Sequence, residues 1–337
     1  MATEIDNATR RVADGETLST ERTDSLFSAL MAGQFAPDAV ERFLRALAAR
    51  GETVDEIVGA ARVLRRHVAS VSCDDPNAID TCGTGGDGIS TFNVSTAAAL
   101  VAAGAGATVA KHGNRTHSRR SGSADVLEAL GVPTDLPPPR LGACLREIGI
   151  AFLHAARLHP AMAIVAPVRR AIGTPTIFNY LGPLTNPAAV TRQIVGVPRD
   201  ELLPRIAEAL RRLGAVQAWV VHGDDGLCDL TTTTTSRYIE VRDGRLTEHA
   251  ITPEEAGLPR THPADLMVDS PDASADVIRA VLSGRSGPAR HHTLLNAGAA
   301  LVVAGRANSL REGIQLAAES IDSGRAAAKL EALIRFR

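Results

Sequence analysis

Apolar residues recur at helical spacing in the first part of the chain. Between residues 40 and 47 they occupy positions i, i+3, i+4 and i+7, a pattern that predicts an amphipathic helix. A second helix is predicted from a capping box in residues 53–56, and a shorter helical pattern covers residues 26–31. Together these segments predict a small helical domain over residues 1–73.

After residue 73 the pattern changes to short runs of β-branched and aromatic residues that alternate with alanine-rich segments. The predicted strands are ATVAKHG, GIAFLH, RQIVGVP and AVQAWVVHG, followed by a hairpin, YIEVRDGRL, that turns at Asp243 and Gly244. Alternation of strands and helices is typical of an α/β domain with a largely parallel central sheet. We therefore predict that residues 74–337 form such a domain.

Composition and charge narrow the function. The 337 residues are 45% hydrophobic and 22% charged, with a net charge of -2, so a general attraction to nucleic acid or to a membrane surface is not expected. The polar N-terminus lacks the apolar stretch of a signal peptide, which predicts a cytoplasmic location. The four cysteines form no CxxC pair, so neither a disulfide framework nor a zinc site is predicted.

A glycine-rich segment, GTGGDG at residues 83–88, matches G-x-G-x-x-G. A dinucleotide-binding turn would lead directly into a helix and place an acidic residue about 20 positions later. Here the helix formers begin only at Ala97 and no acidic residue follows at that distance. A turn without a ligand is one alternative, but the glycine density, with Ser95 and Thr96 at a helix N-terminus, favours a phosphate-binding loop.

A cluster of basic residues follows the next predicted strand. KHGNRTHSRR, residues 111–120, ends close to another helix start at Ser123. Such runs are often only solvated surface. This one lies at the carboxyl end of a strand, where open α/β sheets bind ligands. Two such loops on consecutive strands predict a ligand with more than one phosphate group.

These two segments resemble the signature segments of the anthranilate phosphoribosyltransferase family, which acts in tryptophan biosynthesis. The likeness extends over nearly the whole chain, through HPAMAIVAPVRRAIGTPTIFNYLGPLTNP, VVHGDDGL and LLNAGAALVVAGRA. The resemblance implies a helical domain, joined by helices from about residues 157–185, set against an α/β domain. It also implies a glycosyltransferase that binds phosphoribosyl pyrophosphate, requires Mg²⁺ and forms a homodimer through its helical domains.

Matched position by position, the resemblance implies three sets of site residues. The phosphoribosyl pyrophosphate contacts are Gly83, Gly86, Asp87, Thr91, Asn93, Val94, Ser95, Thr96, Lys111, His112, Gly113, Asn114, Arg115, Thr116, His117, Ser118, Arg119 and Ser123. The anthranilate contacts are Gly83, His112, Asn114 and Arg169. The metal ligands are Ser95 and Asp229, with Cys228 at a further ligand position, and the catalytic residues are Lys111 and Asp87.

The chemistry of the reaction agrees with these residues. Displacement of pyrophosphate builds negative charge on the leaving group, so the enzyme mainly needs electrostatic stabilisation there, which Lys111 and a magnesium ion can supply. The aromatic amine is already neutral at pH 7, so no strong general base is required.

Several of these residues also have ordinary structural interpretations. Arg169 could be a surface cation at a helix end or a two-point ligand for the substrate carboxylate. His112 is expected to line the substrate site, although a histidine in an α/β core often only bonds a backbone carbonyl, and for His159 both interpretations stay open. Asp87 could simply form a turn.

Two positions depart from the family pattern. Cys228-Asp229 replaces an Asp-Glu pair that holds magnesium, and Ser118-Arg119 replaces a pair of serines. A neutral thiol is a poor ligand for a hard cation, so a second metal site should be weakened. We hypothesise that the guanidinium of Arg119 compensates by binding pyrophosphate oxygens.

The leading functional prediction is transfer of phosphoribose to anthranilate. The alternatives are transfer to another aromatic acid or amine in a specialised pathway, a nucleoside phosphorylase of the same architecture, and a non-catalytic relative that binds nucleic acid. The last would show salt-sensitive DNA binding and no pyrophosphate release.

Overall fold

The computed structural model describes residues 3–115 and 120–337. Four predicted site residues, Thr116, His117, Ser118 and Arg119, lie outside the described residues. The helices are α1 (Glu4–Ala13), α2 (Thr20–Met31), α3 (Pro37–Arg50), α4 (Val54–His67), α5 (Val94–Gly104), α6 (Ser123–Ala129), α7 (Pro138–Ile148), α8 (Ala155–Leu158), α9 (Met162–Ile172), α10 (Ile177–Leu181), α11 (Leu202–Arg212), α12 (Pro271–Leu282), α13 (Pro288–Val303), α14 (Leu310–Asp322) and α15 (Arg325–Arg335). The strands are β1 (Ile79–Gly83), β2 (Val109–Gly113), β3 (Ile150–His154), β4 (Arg192–Gly196), β5 (Gln217–Gly223), β6 (Ser236–Arg242) and β7 (Arg245–Ile251).

The strands form one sheet in the order β3-β2-β1-β4-β5-β6-β7. The first five strands of this order are parallel, and β6 and β7 extend the sheet antiparallel. The predicted hairpin turn is confirmed, since Asp243 and Gly244 both have positive φ, 49° and 75°, as a two-residue turn between twisted strands requires. Because β1 and β2 are adjacent and parallel, their carboxyl ends are neighbours at one edge of the sheet.

Helices α1 to α4 form a helical bundle. Its core, in α1 to α4, includes the predicted stripe of α3, of which Phe43, Leu44 and Leu47 are fully buried. Apolar side chains of α9 and α10 belong to the same cluster. The division at residue 73 stays a prediction, because that cluster also takes in residues of α11 and of β4, β5 and β6.

The helix boundaries differ from the sequence expectation in two places. Helix α5 begins at Val94 and not at Ala97, because Phe92 and Val94 are buried and the chain is already anchored there. Helix α1 has a capping box between Thr3 and Asp6, a pattern that the polar composition of this segment concealed. No helix in residues 3–115 or 120–337 combines the length and apolar character needed to cross a membrane.

Candidate active site

The two predicted phosphate loops lie side by side. Since β1 and β2 are parallel neighbours, the glycine-rich loop that follows Gly83 and the basic segment that follows Gly113 leave the same edge of the sheet. Gly85, Gly86 and Gly88 have φ values of 66°, 91° and 69°, a region in which residues with a Cβ are strained. The loop therefore depends on glycine for its shape.

Lys111 does not belong to a solvated surface. It lies within β2 and is only 3% exposed. Its ammonium donates hydrogen bonds to Thr81 O and to Ser95 Oγ, the latter at 3.2 Å. Burial lowers the pKa of Lys111, while the attraction of Asp80 opposes that shift. A buried positive charge thus lies beneath the first turn of α5.

Asp80 is a functional residue that the sequence analysis missed. Its Oδ1 accepts a hydrogen bond from His112 N at 2.9 Å, and its Oδ2 accepts one from Asn186 Nδ2 at 2.8 Å. Burial raises the pKa of Asp80, and the charge of Lys111 opposes this shift. The only sequence signal was an acidic residue inside an apolar strand, which is unusual unless the residue is paired.

The segment between the glycine loop and α5 contains both satisfied and unsatisfied polar groups. The Oγ1 atoms of Thr91 and Thr96 are buried and have no hydrogen-bond partner in the described part of the chain, so they suit contact with a bound ligand. Asn93 is different, because its Oδ1 accepts hydrogen bonds from Ser121 Oγ at 2.6 Å and Ser274 Oγ at 2.8 Å. Asn93 therefore joins this segment to α12 and to the start of α6.

The described part of the basic segment faces solvent at its tip. Arg115 pairs with Asp125 at 2.6 Å and with Glu128 at 2.6 Å, so here its guanidinium lies on the surface of α6. Asn114 is exposed. A Cβ at Gly113 would lie 2.2 Å from Ser123 Oγ, so only glycine allows α6 to approach β2 this closely.

His112 and His159 form a buried pair of imidazoles. His112 Nδ1 lies 3.0 Å from Gly182 O, and the two Nε2 atoms are 3.1 Å apart. Because a carbonyl only accepts, Nδ1 of His112 carries the hydrogen, and Nε2 of neutral His112 accepts from His159. Burial lowers the pKa of His112 to about 3 and that of His159 to about 4. Both rings are neutral at physiological pH.

Arg169 lies in the last turn of α9, with its Cζ 5.5 Å from the centre of the Phe178 ring. Its side chain is half-buried, and burial lowers the pKa of Arg169. No carboxylate pairs with it among the described residues. Neighbouring Arg170 is exposed and is the ordinary surface cation of the pair.

Cys228, at one of the predicted metal positions, contacts the glycine-rich loop. A Cβ at Gly196 would lie 1.7 Å from Cys228 O, so glycine lets this segment cross β4 closely. Cys228 N donates to Asp87 Oδ2 at 3.4 Å, and Asp229 is near enough to oppose the lowering of the Lys111 pKa. Within the described ranges, no three His, Cys, Asp or Glu side chains are grouped to hold a metal ion.

Comparisons with known proteins agree with this architecture. The model of the glycosyl transferase family, a/b domain, matches residues 75–327, and that of the glycosyl transferase family, helical bundle domain, matches residues 7–68. The anthranilate phosphoribosyltransferase of Rhodopseudomonas palustris (strain BisA53) is 48% identical over 324 residues, which cover 96% of this chain and 95% of that protein.

Two solved structures share the fold along almost the whole length. Anthranilate phosphoribosyltransferase from Thermus thermophilus has a TM-score of 0.92 and 44% identity, covering 98% of each chain. The enzyme from Saccharomyces cerevisiae, in complex with PRPP and Mg, has a TM-score of 0.89 and 28% identity, covering 98% of this chain and 96% of that one.

The chain thus belongs to the glycosyl transferase family that combines a helical bundle domain with an α/β domain. Within this family it belongs to the anthranilate phosphoribosyltransferases. The resemblance seen in the two loops is confirmed.

The buried histidines predict how stability depends on pH. The pKa values of His112, His159 and His292 are lowered by burial to about 3, 4 and 4, from an ordinary 6.5. Below pH 6.5 the unfolded chain takes up protons that the folded chain does not, so stability present above that pH is lost as the pH falls toward 4. We expect each of these histidines to lower the free energy of unfolding by about 2 kcal/mol at pH 5.

Urea unfolding at pH 7.5 and pH 5.0 measures this loss. His292→Asn removes one buried imidazole away from the two loops, so its loss between these pH values should be about 2 kcal/mol smaller than that of the parent. Equal stability of the parent at both pH values would contradict the assignment of neutral imidazoles.

Proposed function

We propose that this chain transfers the phosphoribosyl group of phosphoribosyl pyrophosphate to the amine of anthranilate, releasing pyrophosphate. The observation that carries the proposal is the buried ammonium of Lys111, which lies against Ser95 Oγ where the glycine loop meets α5. A cation held out of water at a helix N-terminus is arranged for an anion. Membership of the family supports the pyrophosphate of the donor as that anion.

The leaving group receives its stabilisation from charges already in place. As the bond from the anomeric carbon to pyrophosphate breaks, negative charge grows on the leaving oxygens, and Lys111 is fixed by hydrogen bonds beside them. Positive charge that needs no rearrangement during the reaction stabilises the transition state most effectively. The hydroxyls of Thr91 and Thr96, which have no hydrogen-bond partner among the described residues, would bind the remaining phosphate oxygens together with the glycine-loop amides.

The acceptor is held at the other end of the site by Arg169, whose planar guanidinium can bind a carboxylate through two hydrogen bonds. His112 and His159, both neutral, would line the aromatic ring without attracting a second anion. The neutral amine attacks the anomeric carbon through its lone pair, and its proton leaves to solvent, so the site needs no strong base.

The donor set fits one magnesium ion. Ser95 and Asp229 offer oxygen ligands, and Mg²⁺ is commonly bound by one or two carboxylates together with substrate phosphates. When bound, the ion would neutralise charge on the leaving pyrophosphate. Cys228 offers sulfur at a further ligand position, which does not fit a second Mg²⁺.

We further propose that the chain acts in the cytoplasm as a homodimer formed through its helical domain, residues 1–73 with the helices between 157 and 185. Light scattering coupled to size-exclusion chromatography measures the oligomeric state. A single species at the 35.3 kDa of one chain would contradict the dimer.

Replacement of Lys111 by Met should lower turnover by at least about a hundredfold, because one electrostatic stabiliser of the leaving group is lost while the methylene chain still packs. The assay follows pyrophosphate release with anthranilate. Arg120→Ala, which removes an exposed cation of the same segment, should stay within about threefold of the parent. The assignment fails if the Met variant also stays within that range.

Replacement of Arg169 by Ala should lower kcat/KM for anthranilate by about 30- to 5,000-fold, which corresponds to the roughly 2 to 5 kcal/mol lost when one partner of a desolvated charge pair is truncated. Aniline, which lacks the carboxylate, should be a poor substrate for parent and variant alike. Arg170→Ala, at the exposed neighbouring position, is the matched control and should behave as the parent. Unchanged anthranilate kinetics in Arg169→Ala would exclude the carboxylate contact.

The two departures from the family pattern predict a coupled response to magnesium. Arg119→Ser should be strongly damaging alone, and Cys228→Asp should restore part of the loss at raised Mg²⁺, since a carboxylate replaces the thiol beside Asp229. Groups sharing one network couple by on the order of 0.5 to 3 kcal/mol. The measurement is turnover of the parent, the two single variants and the double variant across a series of Mg²⁺ concentrations. Strictly additive effects with an unchanged magnesium dependence would show that the two positions do not act on the same phosphate.

A further inference from the structure

Arg169 contacts the ring at one end of a row of three aromatic side chains in the helical bundle. Phe178 in α10 lies under its guanidinium, with 5.5 Å from the ring centre to Cζ. Behind Phe178 lies Phe27 of α2, at 5.7 Å between ring centres, and behind Phe27 lies Phe43 of α3, at 6.3 Å. Phe27 and Phe43 are fully buried and Phe178 is 4% exposed, so packing fixes the ring that Arg169 contacts.

This contact holds the guanidinium without neutralising it. A ring face attracts a cation through its quadrupole at distances up to about 6 Å, but it accepts no strong hydrogen bond and carries no charge. A carboxylate in the same place would occupy the N–H groups that a substrate needs. Among the described residues no carboxylate pairs with Arg169, so its donors stay available while its plane is restrained.

The same short helix also orients the histidine pair. Gly182, directly after α10, accepts the hydrogen bond from His112 Nδ1 at 3.0 Å. Phe178 and Gly182 therefore bring α10 and the residue directly after it into contact with both Arg169 and His112.

We propose that Phe178 is a positioning residue that presents Arg169 to the carboxylate of the acceptor and thereby selects aromatic amines that carry this group. The inference rests on the proposed function. Its consequence is specific: loss of the ring face weakens the binding of carboxylate-bearing acceptors only while Arg169 is present, and leaves the binding of phosphoribosyl pyrophosphate unchanged.

The test is a kinetic double-mutant cycle with Phe178→Leu, Arg169→Ala and the double variant. For Phe178→Leu we expect the KM for anthranilate to rise by about 2- to 30-fold, with kcat and the KM for phosphoribosyl pyrophosphate each within about twofold of the parent. In the Arg169→Ala background the same substitution should change the anthranilate KM by less than about twofold. An undiminished effect in that background overturns the proposal.

Phe43→Leu is the matched control, because it truncates a buried ring of the same row that Arg169 does not contact. It should lower stability and leave the anthranilate KM unchanged; an increase equal to that of Phe178→Leu would reduce the effect to general loosening of the bundle and overturn the proposal. Phe178→Tyr keeps the ring face and should retain the parent KM.

A second variant covers failure of Phe178→Leu to fold. Pentafluorophenylalanine at position 178 keeps the ring shape but reverses its quadrupole, and it should raise the anthranilate KM in the same way, whereas an unchanged KM overturns the proposal. A parent that binds phosphoribosyl pyrophosphate but releases no pyrophosphate with anthranilate would instead overturn the proposed function. The two failures are therefore distinguishable.

Discussion

The site depends on one buried positive charge. Lys111 lies within β2, between β3 and β1 of the sheet, and burial of an ammonium is unfavourable unless opposite charge and hydrogen-bond acceptors lie near it. Asp80, Thr81 and Ser95 meet that need. The same Asp80 carboxylate bonds the backbone of His112 and the side chain of Asn186, so the group that stabilises the charge also orders the neighbouring strand and the segment beyond α10.

Charges with a structural role and charges available for ligands are separated in this fold. Arg115 is neutralised on the surface by Asp125 and Glu128, and buried Lys111 has the charge of Asp80 near it, whereas half-buried Arg169 has no ion pair in the described ranges. Uncompensated buried cations reduce stability. In the proposed function, a substrate carboxylate bound by Arg169 would remove that penalty.

The bundle and the sheet both supply candidate site residues. Parallel strands bring the two loops to one edge, while the bundle supports α9 and α10, which carry Arg169, Phe178 and the carbonyl that orients His112. The ring of Phe178, which lies beside the Arg169 guanidinium, belongs to the bundle core with Phe27 and Phe43, so the bundle packs directly against that side chain.

The sequence by itself determined the fold class and the family and predicted two phosphate-binding loops, because helical periodicity, strand alternation and glycine spacing are local properties of the chain. It also indicated Lys111 and Arg169, but it could not separate them from Arg115 or Arg170, since exposure and pairing depend on residues distant in the chain. Asp80, Asn186 and Phe178 acquire their roles only when β1, the segment after α10 and the bundle meet. Burial is a property of the assembled fold, and only the tertiary structure decided which of these cations face solvent and which lie in the interior.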